Sequence, residues 1–365
     1  MAKNPFSPPK LPPKLHYGNL VSEIARANKS LGRLDALLSQ LKNPRLLSRT
    51  MVTREAVLSS QIEGTEVTLN EVLEKEARGV TKEEISKDRD FREVINYRQA
   101  LEHGIRVLGD QPLAENLIKE LHAILLRSAR GKNRAPGEFR RKLVYIGKPG
   151  ATIEEASFVP PLPGEIIELF SNLERYIHTE EREALVQIGV AHYQFEAIHP
   201  FEDGNGRIGR LLISLMLFQK KLLSYPFIYL SEFFEEHRRE YYDLLLGVSE
   251  KGDWESWLKF FLRGINIQAQ KAQEVSQRIL DLHMSLNSRI TEFNSRYAHH
   301  FLDELFSNPY FSSHTIKDRT GIKNVQTVFT LIAKFLNAGV IIDMTPQKKR
   351  NKIYCFNELL KILDS

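Results

Sequence analysis

Two apolar helical stretches that cannot be continuous with each other constrain this chain more than any other feature. Residues 184–198 read as a buried helix, and a second apolar helix starts at about Arg207 and carries Leu211, Leu212, Ile213 and Leu215. Between them stands His199-Pro200-Phe201-Glu202-Asp203-Gly204-Asn205-Gly206. Pro200 has no N–H with which to continue the first helix, so the chain must turn. Gly204 and Gly206 permit positive φ and close approach of another group to the backbone. The unit is therefore helix, glycine-rich loop, helix. The N–H groups that open the second helix have no carbonyl partner within it, and with the helix dipole they form an anion site. Arg207 and Arg210 add fixed positive charge, in the planar geometry that suits phosphate.

Taken singly, these residues have ordinary roles. Asp203 can cap a helix, His199 can be a core histidine, and the arginines can be solvated charges. Together they place a candidate base, a hard carboxylate and a phosphate nest within twelve positions, which points to phosphate chemistry. Rival motifs fit less well. Gly204-x-Gly206-x-x-Gly209 formally matches the dinucleotide fingerprint, but that fingerprint follows a strand, and here a helix precedes it. The Gly-Lys-Ser/Thr ending of a Walker loop is absent. His192 and His199 stand seven apart and no H-E-x-x-H occurs, which argues against a helical zinc site.

The rest of the chain reads as mainly α. Helical spacing covers about 19–41, with Leu20, Ile24, Leu31, Leu34, Leu37, Leu38 and Leu41, and then about 52–61, 88–108 and 114–126. Between Gly137 and Pro163 the pattern changes. Val144-Tyr145-Ile146 and Ser157-Phe158-Val159 suit one β-hairpin around Gly147, Pro149 and Gly150. Helical periodicity returns at 165–178, 183–198, 207–218, 237–246 and 254–261, and a polar helix of about 265–293 reads as a connector. Helices at 298–306, 313–320 and 325–336, with β-type runs at 340–344 and 353–356, predict a winged helix-turn-helix. Pro5, Pro8, Pro9, Pro12 and Pro13 predict an extended surface strap. The expected division is an N-terminal helical region at 1–110, a catalytic core at 111–265, the connector at 266–294 and the winged domain at 295–365.

A formal net charge of +5 permits phosphate contact without demanding nucleic acid. The single cysteine, Cys355, excludes an intrachain disulfide and a cysteine-based zinc site. No apolar run follows the first charges, and no stretch approaches the ~20 apolar residues of a membrane span. The expectation is a cytoplasmic protein without membrane contact.

The run from His199 to Arg210 resembles the signature of the Fic family, His-Pro-Phe-x-Asp/Glu-Gly-Asn-Gly-x-x-x-Arg, at every position that can be compared. Upstream, Ser59-Ser60-Gln61-Ile62-Glu63-Gly64 is similar to the family's inhibitory pattern, Ser/Thr-x-x-x-Glu-Gly/Asn. It lies where members with an N-terminal inhibitor carry theirs. The hairpin resembles the family's flap, and a winged-helix tail is a known companion of such chains. The similarity covers about 20–261. It implies a Fic-type helical core with a small β-hairpin flap plus a C-terminal winged helix-turn-helix. The implied activity is protein adenylyltransfer, moving AMP from ATP to a Ser, Thr or Tyr hydroxyl of a target protein or of the chain itself.

The resemblance also implies roles. His199 would be the general base, in keeping with an ordinary pKa of ~6.5. Asp203 would hold Mg²⁺. The N–H groups at Gly204, Asn205 and Gly206 would hold phosphate oxygens, with a further side-chain contact from Asn205. Arg207 would grip the β-phosphate and Arg210 the γ-phosphate. Phe201 would anchor the loop, and Tyr242, rather than Tyr241, would stand beside the adenine. The flap would hold a target segment by strand addition. Ser59 and Glu63 would share one helix face, Gly64 would end that helix, and Glu63 would pair with Arg210 to inhibit. The intact Gly204-Asn205-Gly206 and Arg210 favour AMP over the phosphorylating branch, which has Ala and Lys in place of Gly204 and Gly206, and over the phosphocholine branch. Three alternatives stay open: removal of AMP, a homodimer, and a nucleotide-sensing DNA-binding regulator. In the last, Lys323, Lys348, Lys349, Arg350 and Lys352 would meet phosphates.

Overall fold

The computed structural model describes residues 4–39, 45–79, 88–127, 134–147, 150, 152–225 and 227–364. The proline-rich opening has no regular structure, yet it is tied down as the strap reading expects. The Phe6 N–H donates to the Val159 carbonyl at 2.8 Å, the Leu11 N–H donates to Asn172 Oδ1 at 2.7 Å, and Gln194 Nε2 donates to the Pro9 carbonyl at 3.0 Å.

Helix α1 (Val21–Ser39) buries Ile24, Ala27, Leu31, Leu34 and Leu38, one apolar stripe at helical spacing; Leu41 lies outside the described residues. It is followed by α2 (Arg45–Ile62), α3 (Leu69–Arg78), α4 (Arg89–Val107) and α5 (Glu115–Leu125). Apolar spacing alone does not predict α3. Its signal is a capping box, in which the Glu71 N–H donates to Thr68 Oγ1 and the Thr68 N–H donates to Glu71 Oε2. Next come α6 (Ile166–His178), α7 (Ala184–Ile198), α8 (Asn205–Gln219), α9 (Leu230–Glu236) and α10 (Arg238–Lys251). Helix α7 is buried on all sides, as its apolar sequence requires. It packs between α6, α8 and α11 (Trp254–Ile290).

Helix α11 contains the stretch read as a connector. It is one unbroken helix of 37 residues, and it buries Ala269, Ala272, Val275, Ile279, Leu282 and Leu286. That stripe packs along α1. Polar residues on its other faces dilute the composition and hide the stripe from an average.

Among the described residues the expected hairpin holds one bridge, with the Ile146 N–H donating to the Phe158 carbonyl at 2.8 Å and the Phe158 N–H donating to the Ile146 carbonyl at 3.1 Å. Pro160, Pro161 and Pro163 cannot donate to a ladder, which stops it from extending past Phe158 on that side. Pro149 of the expected turn lies outside the described residues.

The C-terminal region contains α12 (Ala298–Ser307), β1 (Tyr310–Ser312), α13 (Ser313–Thr320), α14 (Val325–Asn337), β2 (Ile342–Asp343), β3 (Ile353–Cys355) and α15 (Asn357–Leu363). The strands form an antiparallel sheet in the order β1-β3-β2, with Phe311 opposite Tyr354 and Ile342 opposite Cys355. Strand β1 and helix α15 add to the expected three helices and two strands. This region rests on the N-terminal helices. Helix α12 packs on α2, β1 packs on α3, and Asn70 Nδ2 donates to Asp364 Oδ2 at 3.1 Å. Arg54 bridges α2 to the carbonyl of Leu363 and to Glu232.

Candidate active site

Helix α7 ends where Pro200 forbids another turn. His199 takes the left-handed conformation, φ +50° and ψ +59°. Gly204, at φ +79°, then swings the chain into α8. The loop is braced from inside. The Phe201 N–H donates to Asn205 Oδ1 and Asn205 Nδ2 donates to the Phe201 carbonyl, both at 2.9 Å. The polar atoms of the Asn205 side chain are thus used within the loop, and only its backbone N–H stands at the opening of α8. The buried Phe201 ring stacks on His122 at 3.7 Å, which bears out its anchoring role.

His122 ties the loop to its surroundings. The Gly137 N–H donates to His122 Nδ1 at 2.9 Å, so Nδ1 accepts and Nε2–H donates to the Asp203 carbonyl at 2.9 Å. Burial pulls this imidazole down to about 4, so it stays neutral near pH 7, as the two bonds require.

The Asp203 carboxylate is about one-third exposed, and Arg207 approaches its Oδ1 at 3.4 Å. Arg207 itself is buried, and its main partner is Glu93 Oε2 on α4 at 3.1 Å. A buried ion pair of this kind fixes an arginine in place. Arg207 thus stands between Glu93 and Asp203 at the start of α8.

Arg210 meets the expected inhibitory segment. It is 2% exposed. Its Nε donates to Ser59 Oγ at 2.9 Å, and Nη2 donates to the Ser59 carbonyl and to Glu63 Oε1, each at 2.8 Å. Glu63 lies in the turn after α2, and Gly64, at φ +90°, ends the segment. The Glu63 carboxylate sits directly over the first turn of α8. A Cβ on Gly206 would stand 2.5 Å from Glu63 Oε1, so only glycine admits it. Burial alone would raise the Glu63 pKa, but Arg210 outweighs it and holds the carboxyl below its ordinary value. Burial would likewise lower Arg210, and Glu63 more than compensates. A carboxylate therefore occupies the positive end of the helix, where an anion binds.

A cavity of about 470 Å³ opens beside this pair, lined by Ile146, Phe158, Tyr193, Glu196, Arg238 and Tyr242. Of the two adjacent tyrosines, Tyr242 is 43% exposed and lines the cavity. Tyr241 is buried, and its hydroxyl donates to His192 Nε2 at 2.8 Å, while His192 Nδ1 donates to the Gly209 carbonyl. Arg238 also caps α2, donating to the Ile62 carbonyl at 2.7 Å. Glu196 has a buried Oε1 without a hydrogen-bond partner, and burial raises its carboxyl to about 7.

Arg140 closes the turn at His199. It is 2% exposed, and its guanidinium meets only backbone carbonyls. Nε donates to His199 at 2.8 Å, Nη2 to Pro161 at 2.6 Å and to Ile198 at 3.4 Å, and Nη1 to Lys142 at 3.1 Å. The Arg140 N–H donates to the Pro200 carbonyl at 2.8 Å. Burial, followed by the nearby Arg140 charge, pulls the half-buried His199 down to about 4, against the opposing pull of the Glu196 carbonyl, Glu63 and Asp203.

Periodicity does not reveal Arg140, His122, Glu93, Glu196 or Arg238, because each acts through a partner that is distant in sequence or through its depth in the fold. Among the described residues, no three or more His, Cys, Asp or Glu side chains form a metal cage. The donor set that is present, one partly exposed carboxylate beside an anion cradle, suits Mg²⁺, which takes one or two carboxylates and completes its shell with phosphates and water. No helix among the described residues is long and apolar enough to cross a membrane.

Comparison with known proteins places this geometry. Residues 21–106 match the model of the Fic/DOC family N-terminal region, and residues 112–217 match that of the Fic/DOC family. The chain is 31% identical over 158 residues to the protein adenylyltransferase Fic of Culex quinquefasciatus, covering 42% of this chain and 26% of that protein. It is 34% identical over 127 residues to the protein of the same name from Drosophila yakuba, covering 34% of this chain and 22% of that one. The match thus spans about a quarter of the length of these relatives. A crystal structure of a Fic family protein from Desulfovibrio desulfuricans G20 superposes with a TM-score of 0.59 at 21% identity, over 95% of this chain and 98% of that one. Fic-1 from C. elegans gives 0.52 at 20% identity, over 69% and 72%. These two likenesses establish the fold.

Proposed function

Because the chain belongs to the Fic/DOC family, we propose that it is a protein adenylyltransferase held in an inhibited state by its own Glu63. One observation carries this reading: Arg210 is buried against Ser59 and Glu63, and the Glu63 carboxylate lies over Gly206 at the anion-binding end of α8. The same end of α8 would receive the phosphates of ATP once Glu63 withdraws. Arg210 would then take the γ-phosphate, with the backbone N–H groups of the first turn around the α- and β-phosphates. The base and ribose would enter the cavity beside Tyr242.

In the reaction, a hydroxyl oxygen of the acceptor protein attacks the α-phosphorus. Its proton passes to His199, which burial keeps neutral and so able to accept it. The new O–P bond forms as the bond to the β-phosphate oxygen breaks, and diphosphate leaves. Asp203 would hold Mg²⁺, which supplies charge neutralisation for the α- and β-phosphates. Arg207 and Asn205 would act on the loop's shape, since their side chains are engaged within the protein. The DNA-binding alternative is less favoured, because α14 turns Val325 and Phe329 to solvent.

The test is direct. The full chain and its Glu63→Gly variant are incubated with ATP labelled on the α-phosphate or on the γ-phosphate. Label from the α-position, with a mass gain of one AMP and a higher rate in the variant, is the expected result. Label from the γ-position would assign the chain to phosphoryl transfer instead.

A further inference from the structure

We propose that Arg140 is a positioning residue for this reaction, holding His199 and the flap in one geometry so that a hydroxyl presented at the flap meets the imidazole. The inference rests on the transferase reading above. His199 is a non-glycine residue at φ +50°, a conformation that persists only where the surroundings impose it. It ends a buried helix whose last carbonyls have no partner within the helix, and Pro200 removes any chance of another turn. Arg140 supplies the missing donors to Ile198 and His199. The same guanidinium reaches across to Pro161, just beyond the Ile146–Phe158 bridge of the flap, and to Lys142 just before it. One planar group thus joins the catalytic turn to both arms of the flap.

A buried cation spent entirely on carbonyls is a costly way to fill space. Burial lowers its pKa to about 10, so it still carries its charge at neutral pH. Lysine has a single nitrogen and cannot span three segments in this way. The phosphate-binding groups lie elsewhere, on the first turn of α8 and on Arg210, so loss of Arg140 should misplace the imidazole relative to the flap while sparing ATP. A displacement of ~1 Å can cost about a hundredfold in rate. The charged and titratable groups facing His199 are Arg140, Glu63 and Asp203, with the Glu196 carbonyl on its own helix.

The test uses the full chain with Glu63→Gly as the parent, carrying Arg140→Lys or Arg140→Met. ATP affinity is measured by calorimetry with Mg·ATP, and self-labelling from α-labelled ATP is followed across pH. Both variants should bind ATP within about threefold of the parent and label at least ~10-fold more slowly. In Arg140→Met the acid limb of the rate profile should move to higher pH, because the imidazole loses a neighbouring cation. In Arg140→Lys it should stay in place. If the methionine variant does not fold, the split between rate and affinity in the lysine variant decides. Parent-like labelling in either variant overturns the proposal. So does a fall in ATP affinity that matches the fall in rate, with the acid limb unmoved. A parent that takes up no label refutes the transferase reading itself, and this inference with it.

Discussion

Replacing Glu63 by glutamine should make the protein less stable and more active at once. The substitution keeps the shape and removes the charge that faces Arg210 at 2.8 Å. Stranding one partner of a fully buried pair costs about 3–5 kcal/mol, whereas an exposed pair is worth ~0–1 kcal/mol. Here the Arg210 side chain is 2% exposed and that of Glu63 35%. The carboxylate is therefore partly screened, and Ser59 still accepts from the guanidinium. The expected loss lies between those limits, about 1–3 kcal/mol, or roughly 1–4 °C in the unfolding midpoint of a chain this size. ATP should reverse the order. In the variant its γ-phosphate meets an arginine no longer neutralised by a carboxylate, and saturation at about 100 times Kd returns ~2.7 kcal/mol. In the wild type the ligand must first displace Glu63. The folded-state pKa of Glu63 lies below the ordinary 4.5, so the pair stabilises above that pH and is lost on acidification. The two midpoints should converge in acid. Thermal unfolding with and without Mg·ATP, from neutral to acid pH, reads every term. Equal midpoints at neutral pH together with equal ATP-induced shifts would refute the reasoning.

Three further outcomes are expected. His199→Ala should abolish labelling by at least ~100-fold while leaving calorimetric ATP affinity nearly unchanged, since the imidazole acts on the acceptor. Glu196, raised to about 7 from 4.5, binds a proton more tightly folded than unfolded, so its contribution is complete below pH 4.5 and is lost as pH rises through about 7. Glu196→Gln should flatten the decline of the unfolding midpoint over that window, and an unchanged decline would show that the carboxyl is not a source. Deleting 266–364 should broaden or abolish cooperative unfolding, because it strips α1 of the apolar stripe on α11 and α2 of its support on α12; a sharp transition in the truncated chain would contradict this.

The longer helices are legible in the sequence where one face alone is apolar, or where all faces are, whereas the seven-residue α9 and α15 are too short to show a period. Helix α7 is the clearest case, because a segment apolar all round has no stable place except the centre of the fold. Helix α3 was not legible from apolar spacing, since it is short and its evidence lies in a hydrogen-bonded cap. The packing of α11 is hidden in the sequence for another reason. An amphipathic helix with a narrow stripe and many polar residues looks the same whether it bridges solvent or packs along a neighbour. Only the partner, α1, some 240 positions earlier, decides between them. The flap is legible from its β-favouring residues, and the prolines that follow Phe158 mark where its ladder stops on that side.

At the site, the contrast between the two arginines explains what a sequence can and cannot disclose. Arg210 and Glu63 are far apart in the chain, but each sits in a short pattern with its own local logic: a loop that binds anions, and a helix end that presents Ser59 and Glu63 together. The resemblance to the Fic family's inhibitory pattern is what implies their pairing. Arg207 has the same local setting as Arg210, and nothing near it in sequence distinguishes their fates. Its partner, Glu93, is one of several carboxylates on an amphipathic helix, and it is singled out only by facing inward when α4 packs on α8. Two arginines three residues apart on α8, neighbours on one side of the helix, therefore reach different partners. One is sealed to the neighbouring helix, and the other is held by a carboxylate that can be displaced. The distinction that matters for phosphate binding is whether the counter-charge lies within a packed core or at a helix end, and that is a property of the assembled helices rather than of the motif.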